Sequence, residues 1–378
     1  MIKRKLIDKI IRQSKTTNKI VVIYGPRQIG KTTLAKSIID KLKLKTLHIN
    51  ADQTQYIDIL SSRDWKKIKS LISGYELLFI DEAQRIPEIG INLKIIYDNL
   101  PEMKIITTGS SSFDLANKLQ EPLTGRKWTF ELFPISIQEL ENNHNAFEIK
   151  NKLEELLVYG AYPEVLSLEN IFDKQKLLME ISRDYLYKDI LDLVNIKYPH
   201  KLRDLLRLIS FQIGSEVSIS ELADNLGINK ETVENYIDLL EKSFVIFRLS
   251  GFSRNLRNEV KKMNKIFFYD LGIRNVVIDN LKPINNRDDV GALWENFLII
   301  ERFKYLEYNS ILASTYFWRM STGAEIDYVE ERDGMLYSFE FKWNPKKQAR
   351  VPQKFLDTYK NSEFEVVNRD NFLEKFLI

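Results

Sequence analysis

The stretch Lys19–Leu42, KIVVIYGPRQIGKTTLAKSIIDKL, decides the fold. Its first residues are a short apolar run of strand type. A turn opened by Gly25-Pro26 and closed by Gly30 follows, and then an amphipathic helical pattern. Residues Gly25–Thr32, GPRQIGKT, fit G-x-x-x-x-G-K-[ST] between a strand and a helix, where that spacing has a mechanical meaning. The loop Gly25, Pro26, Arg27, Gln28, Ile29, Gly30, Lys31, Thr32 and Thr33 turns its backbone N–H groups, Pro26 excepted, toward a polyphosphate. The start of the helix adds its dipole. In this reading Lys31 reaches the β- and γ-phosphates, the Thr32 hydroxyl binds Mg²⁺, and Gly30 permits close backbone approach. Arg27, although inside the loop, is read as making a local contact.

Working outward, LLFIDEAQ (Leu77–Gln84) is an apolar strand ending in paired acids. Asp81 is placed to complete the Mg²⁺ shell and Glu82 to polarise the attacking water. KIITTGSSS (Lys104–Ser112) is another strand, ending in Thr108, Gly109, Ser110 and Ser111, whose hydroxyls can reach a γ-phosphate or the water. Arg126, in LTGRKWTFELFPISIQEL, is either a transition-state arginine or one half of a surface salt bridge.

Strand-like runs at 19–24, 47–49, 77–80 and 104–108 alternate with helical patterns, which predicts an α/β domain with a parallel sheet over residues 1–145. Residues 146–215 read as a helical segment, 216–279 as a winged helix, and 280–378 as a further domain of helix, hairpin and helix. The polar segment 280–291 reads as a linker. Hydrophobic residues make up 44% of the 378 and charged ones 29%, which describes a soluble globular protein. The absence of cysteine excludes disulfides, thiolate zinc sites and thiol catalysis. The three histidines, His48, His144 and His200, are too scattered for a His-rich metal site. No long apolar run and no signal-peptide pattern is present, so a cytoplasmic protein without membrane contact is expected. A net charge of +3 is too small to imply a nucleic-acid partner by itself.

Charge placement says more. In residues 217–270, Ser220 is read as capping a short helix, Gly227 as the turn, and Asn229 as the cap of a second helix: a helix-turn-helix. FVIFRL and KIFFYD then form two strands around a loop carrying Arg254, Arg257, Lys261 and Lys262, with Arg248 and Lys265 on the strands. Such a basic wing contacts DNA phosphates. The second helix, however, carries Glu231, Glu234, Asp238 and Glu241, which repel a phosphate backbone and suit a protein partner instead.

Near the end, GAEIDYVEERDGMLYSFEFKW (Gly323–Trp343) reads as a β-hairpin turning at Asp333-Gly334. That register sets Asp327 opposite Glu340 and Glu325 opposite Lys342. Carboxylates facing each other on a sheet repel. A lysine, a shared proton or a metal ion must hold them.

With these motifs in order, the chain resembles the prokaryotic AAA-type P-loop ATPases that carry a C-terminal, restriction-endonuclease-like domain of unknown function. It is also similar to the archaeal STAND signalling ATPases. GPRQIGKT, DEAQ, TTGSSS, LTGRKWTFELFPIS and LGIRN carry the likeness, which spans nearly the whole chain. The resemblance implies ATP binding and hydrolysis with Mg²⁺ through Lys31, Thr32, Asp81 and Glu82. It also implies a PD-(D/E)xK-like core with Glu295, Asp327, Glu340 and Lys342 around a metal ion, although Ile326 stands where that pattern often has proline. The expected function is an ATPase coupling nucleotide state to duplex or branched DNA. Two alternatives are a signalling switch that binds a protein, and a DNA-binding ATPase whose nuclease-like domain is an inactive scaffold. The oligomeric state is left open.

Overall fold

The structure, a computed structural model, describes residues 2–109, 122–183, 198–254, 264–320 and 322–377. Two compact units form, Lys3–Pro134 and Ile135–Glu241 with Val245–Ile378.

The first unit is a five-stranded parallel sheet. Its strands are β1 (Ile20–Tyr24), β2 (Thr46–Asn50), β3 (Leu77–Asp81), β4 (Lys104–Gly109) and β5 (Lys127–Glu131), in the order β2-β3-β4-β1-β5. All residues of β1 are buried, as a central strand covered on both faces requires. The four expected strands are present. The fifth, β5, is an edge strand that pairs with β1 from Ile20↔Lys127 to Tyr24↔Glu131. Its polar-apolar alternation lacks the continuous apolar run that marked the others. Because the strands are parallel, the residues after β1, β3 and β4 emerge at one end of the sheet, where Tyr24 is level with Gly109 and Ile80 with Thr107.

The second unit opens with the helices Ala146–Tyr159, Pro163–Ser167, Ile171–Ser182 and Pro199–Phe211. Then come β6 (Glu216–Val217), helices Ile219–Leu226 and Lys230–Lys242, β7 (Ile246–Gly251) and β8 (Asn264–Phe268). Ser218, not Ser220, caps the first of that helix pair. Its backbone is still extended, so its hydroxyl can accept from the N–H of Glu221. Gly227 takes the left-handed turn at φ 63°, and Asn229 accepts from Thr232 N–H at 2.7 Å, both as expected.

Helices Leu271–Val277 and Val290–Asn309 lead to β9 (Ser314–Arg319), β10 (Glu325–Arg332), β11 (Met335–Lys342) and β12 (Ser362–Asn368). These strands do not form a sheet of their own. β7 pairs in parallel with β9 through Ser250↔Tyr316 and Gly251↔Phe317, giving one seven-stranded sheet, β12-β11-β10-β9-β7-β8-β6. The segment 280–291 is likewise no free linker. Ile284 is buried, and Asp289 binds Arg287 at 2.8 Å and Arg274 at 2.5 Å. Arg287 and Asp289 are satisfied within the fold, while Lys282, Asn285, Asn286 and Asp288 are exposed, a distinction that composition cannot make.

The hairpin turns where expected, with Asp333 (φ 52°) and Gly334 (φ 76°) both left-handed. Its register runs from Tyr328↔Phe339 to Arg332↔Met335. On the β9 side, a step from Ile326 to Val329 meets the shorter step from Trp318 to Tyr316, which is a bulge. Ile326 and Val329 therefore share one buried cluster with Trp318, Leu336 and Phe355, which strict alternation forbids. Among the described residues, no helix is long and apolar enough to cross a membrane.

Candidate functional site

The phosphate-loop residues meet at the carboxyl ends of β1, β3 and β4. Gly25 has φ 147°, and a Cβ there would lie 2.2 Å from the Leu132 carbonyl oxygen. A side chain at Gly25 therefore cannot be accommodated without moving backbone. Gln28 and Gly30 are left-handed, at φ 60° and 89°, a succession that curls the loop's N–H groups inward. Gly30 begins the helix Lys31–Leu42 without a side-chain cap, and a Cβ on it would meet nothing within 4 Å. Open space thus lies beside an uncapped helix start, which fits a phosphate.

Lys31 is buried, and its ammonium donates to the carbonyls of Gly25 (3.0 Å) and Pro26 (2.7 Å). The Thr32 hydroxyl donates to both Asp81 carboxylate oxygens, at 2.9 and 3.1 Å. These two oxygen-bearing groups, adjacent and half-buried, are the donor set a Mg²⁺–phosphate complex takes. Glu82 follows in a left-handed conformation, φ 53°, which turns it away from the line of β3.

Three supporting residues were not assigned these roles from sequence. Thr108, fully buried, donates its hydroxyl to Asp81 and accepts the Glu82 backbone N–H at 3.3 Å. Gln84 donates its side-chain amide to the Glu82 carboxylate. Arg4, ahead of the first helix, donates to the carbonyls of Ile29 (2.9 Å) and Phe133 (2.5 Å), tying the back of the loop down. A strand-end threonine was legible as a hydroxyl donor; the target of Arg4 was not. Ser110 and Ser111 lie outside the described residues.

Arg126 does not join this group. It precedes β5 at the amino end of the parallel sheet, where its carbonyl accepts the Ile20 N–H. Its guanidinium pairs with Asp98 at 2.9 and 3.3 Å. The length of β1 separates it from the loop, about 3.3 Å for each residue. Within one chain it is therefore the salt bridge of the two readings. Arg126→Ala is expected to change single-chain ATP turnover by about 3-fold at most, in contrast to the ~10²-fold loss seen when a transition-state donor is removed. Steady-state phosphate release at dilute protein measures this.

The C-terminal candidates Glu295, Asp327, Glu340 and Lys342 are brought together, with two additions. Lys265 of β8, which the sequence places on a strand beside the basic loop, is 1% exposed and reaches Glu295 at 2.9 Å and Glu325 at 2.5 Å. Glu325 therefore pairs with Lys265, and its other oxygen lies 3.8 Å from Arg319; Lys342 pairs with Glu340 at 2.6 Å. Asp327 accepts the Phe341 backbone N–H at 2.7 Å.

Burial pushes the Glu295 carboxyl up to about 8 against the opposing pull of Lys265, with the negative charge of Asp327 adding to the rise. Burial and the neighbouring Glu340 raise Asp327 to about 6. Burial alone would lower the Lys265 ammonium's pKa, but the charges of Glu295 and Glu325 raise it instead, so it stays protonated. Among the described residues, no three carboxylate or histidine side chains converge as a metal-binding group. Of the acids expected around a metal ion, Glu295 is taken by the Lys265 ammonium and Glu340 by that of Lys342, so the residues present do not fit the expected ion.

The wing contributes less free charge than its sequence suggests. Arg248 is held by Asp238 at 2.6 Å and by Glu241 at 2.5 Å. Lys265 is buried. Arg254 is exposed, 4.0 Å from Glu331. Arg257, Lys261 and Lys262 lie outside the described residues.

Comparisons with known proteins agree with the first unit's geometry. Residues 17–141 match an AAA domain family, residues 150–283 a domain of unknown function (DUF8612), and residues 290–374 another (DUF4143). The seven-stranded sheet draws strands from both of the latter regions. The chain is 27% identical over 328 residues to the uncharacterized protein Rv2008c of Mycobacterium tuberculosis, covering 85% of this chain and 70% of that one. It is 26% identical over 319 residues to the uncharacterized protein MJ1544 of Methanocaldococcus jannaschii, covering 79% and 70%. Among solved structures, the Walker-type ATPase PABY2304 of Pyrococcus abyssi superposes with a TM-score of 0.50 at 18% identity, covering 73% of this chain and 96% of that chain. With that family match and the converging Lys31, Thr32, Asp81 and Glu82, the first unit is an AAA-type P-loop ATPase domain.

Proposed function

We propose that this chain is a Mg²⁺-dependent ATP hydrolase that couples its nucleotide state to DNA binding or processing. The observation that carries the reading is the meeting of Lys31, Thr32, Asp81 and Glu82 at one end of the sheet, held by Thr108 and Gln84. Lys31 and the loop N–H groups neutralise and orient the phosphates. Thr32 and Asp81 would hold Mg²⁺, which would supply positive charge to the phosphates. Glu82 accepts hydrogen from the attacking water, and Thr108 keeps Asp81 and the Glu82 backbone in register.

For the second unit, the helix pair Ile219–Leu226 and Lys230–Lys242 with strands β6, β7 and β8 supports a winged helix-turn-helix reading. DNA contact is assigned to the segment that begins at Arg254, with the C-terminal strands extending the same sheet. The test is ATP turnover and salt-dependent binding with duplex, single-stranded and branched DNA, with and without ATP. Neutralising Arg254, Arg257, Lys261 and Lys262 together is expected to weaken binding equally for all sequences. It should also flatten the log–log salt slope by about 0.9 for each duplex phosphate that the protein ceases to neutralise. Unchanged affinity and slope would move the module to protein contact.

That second reading, a nucleotide-driven switch with a protein partner, has its own support. Arg248 is tied to Asp238 and Glu241, while Glu231 and Glu234 of the same helix are exposed. A helix with that face repels phosphate where a DNA-binding helix would enter the groove.

A further inference from the structure

We propose that Lys265 is the resident cation of the C-terminal acid cluster, its ammonium standing between Glu295 and Glu325 and so denying both carboxylates to a divalent metal ion. The domain is then a metal-free scaffold and not a metal-dependent nuclease. The inference rests on reading the C-terminal strands as a nuclease-like core and is independent of the ATPase reading.

The arrangement is built, not incidental. A lysine ammonium removed from water must be matched by carboxylates, and Lys265 has two, Glu295 on the helix Val290–Asn309 and Glu325 at the start of β10. It arrives from β8, with β7 and β9 between its own strand and β10. Its ammonium passes over the ring of Phe317 on β9, 5.3 Å from the ring centre, so aromatic and carboxylate groups together fix its position.

The neighbouring acids each have at least one oxygen engaged by the protein. Asp327 is bonded to the Phe341 N–H, Glu340 to Lys342, and the second oxygen of Glu325 faces Arg319. The other Glu295 oxygen lies beside Gly214, where a Cβ would come to 3.0 Å of it, so a side chain there would crowd the carboxylate. Mg²⁺ requires close octahedral oxygen coordination and retains several waters. Ammonium and metal cannot occupy the same position between Glu295 and Glu325: the lysine would have to leave, uncovering Phe317 and carrying its charge out of the core.

The test uses the full chain without nucleotide, in an Asp81→Asn background so that the phosphate loop contributes no metal site. Calorimetric titration and thermal unfolding are followed against Mn²⁺. The unsubstituted C-terminal cluster is expected to give no saturable heat and no shift of its unfolding midpoint. Lys265→Met leaves Glu295 and Glu325 without their cation and is expected to acquire Mn²⁺ binding, with a midpoint that climbs with each tenfold rise in Mn²⁺. Lys265→Gln, whose amide can still bond a carboxylate, preserves more of the packing and is expected to do the same. Adding Glu295→Gln should remove the acquired response. Two results overturn the proposal: Mn²⁺ binding or Mn²⁺-dependent DNA nicking by the chain with Lys265 intact that Asp327→Asn abolishes, or folded Lys265 variants that take up no Mn²⁺. Failure of ATP hydrolysis bears on neither.

Discussion

Glu82→Gln is expected to leave ATP bound and to lower its turnover by about 10²–10³-fold, on the order of 3–4 kcal/mol of transition-state stabilisation. Asp81, Thr32 and Thr108 form one hydrogen-bonded set that does not pass through the Glu82 side chain, so the proposed metal site survives the change. The glutamine has the same shape but cannot accept the water's proton. Lys31→Ala acts at a different point. Its ammonium holds the carbonyls of Gly25 and Pro26, so its loss removes both the phosphate counter-charge and the bonds that keep the loop closed. Nucleotide affinity and turnover should fall together. Steady-state hydrolysis with equilibrium nucleotide binding separates the two variants: Glu82→Gln changes kcat alone, and Lys31→Ala changes both. Turnover by Glu82→Gln at the unsubstituted rate would remove Glu82 from its role.

The difference between what was legible and what was not follows the range of the interactions. The phosphate loop is local: a strand, a turn needing glycine at Gly30, and a helix start lie within one short stretch, so spacing alone placed Lys31 and Thr32. The Asp333-Gly334 turn is local too, and it set the hairpin register correctly from Tyr328↔Phe339 to Arg332↔Met335. Arg126 stayed open between its two readings because closeness in sequence to β5 says nothing about which end of a parallel strand a residue occupies. It sits before the strand, and the phosphates are expected after its neighbour. Lys265 was legible as a strand residue, but its partners were not, for the opposite reason. Its partners, Glu295 and Glu325, are remote in sequence, and only the parallel β7–β9 pairing brings β8 and the C-terminal hairpin into one sheet. A period-two pattern assigns a residue to a face but does not tell which strands are neighbours. The bulge between Ile326 and Val329 then breaks the pattern next to Asp327 itself.

Glu330→Ala is expected to destabilise the second unit by about 3–5 kcal/mol, the cost of leaving a buried charge without its partner. Glu330 lies on β10 with no solvent exposure, and Arg302 meets it with two bonds, Nε at 2.8 Å and Nη2 at 2.9 Å. The third arm of Arg302 donates to the Phe376 carbonyl at 2.6 Å, so the pair also fastens the chain's end to the sheet. Arg302→Met should cost a similar amount, because Glu330 would keep only Arg332 (3.2 Å) and the Tyr328 hydroxyl (3.3 Å). The double variant Arg302→Met with Glu330→Leu should recover most of the loss, since two apolar side chains of similar volume carry no desolvation cost. Urea unfolding followed by emission from Trp294, Trp318 and Trp343, with ATP turnover in native buffer monitoring the first unit, resolves the three cases. Equal and additive losses in the double variant would show that the two charges act separately. Recovery would show that the pair fixes where β10 sits without adding net stability, and that strand also carries Glu325 and Asp327. The geometry of the Lys265 cluster would then depend on a buried ion pair whose main effect is positional.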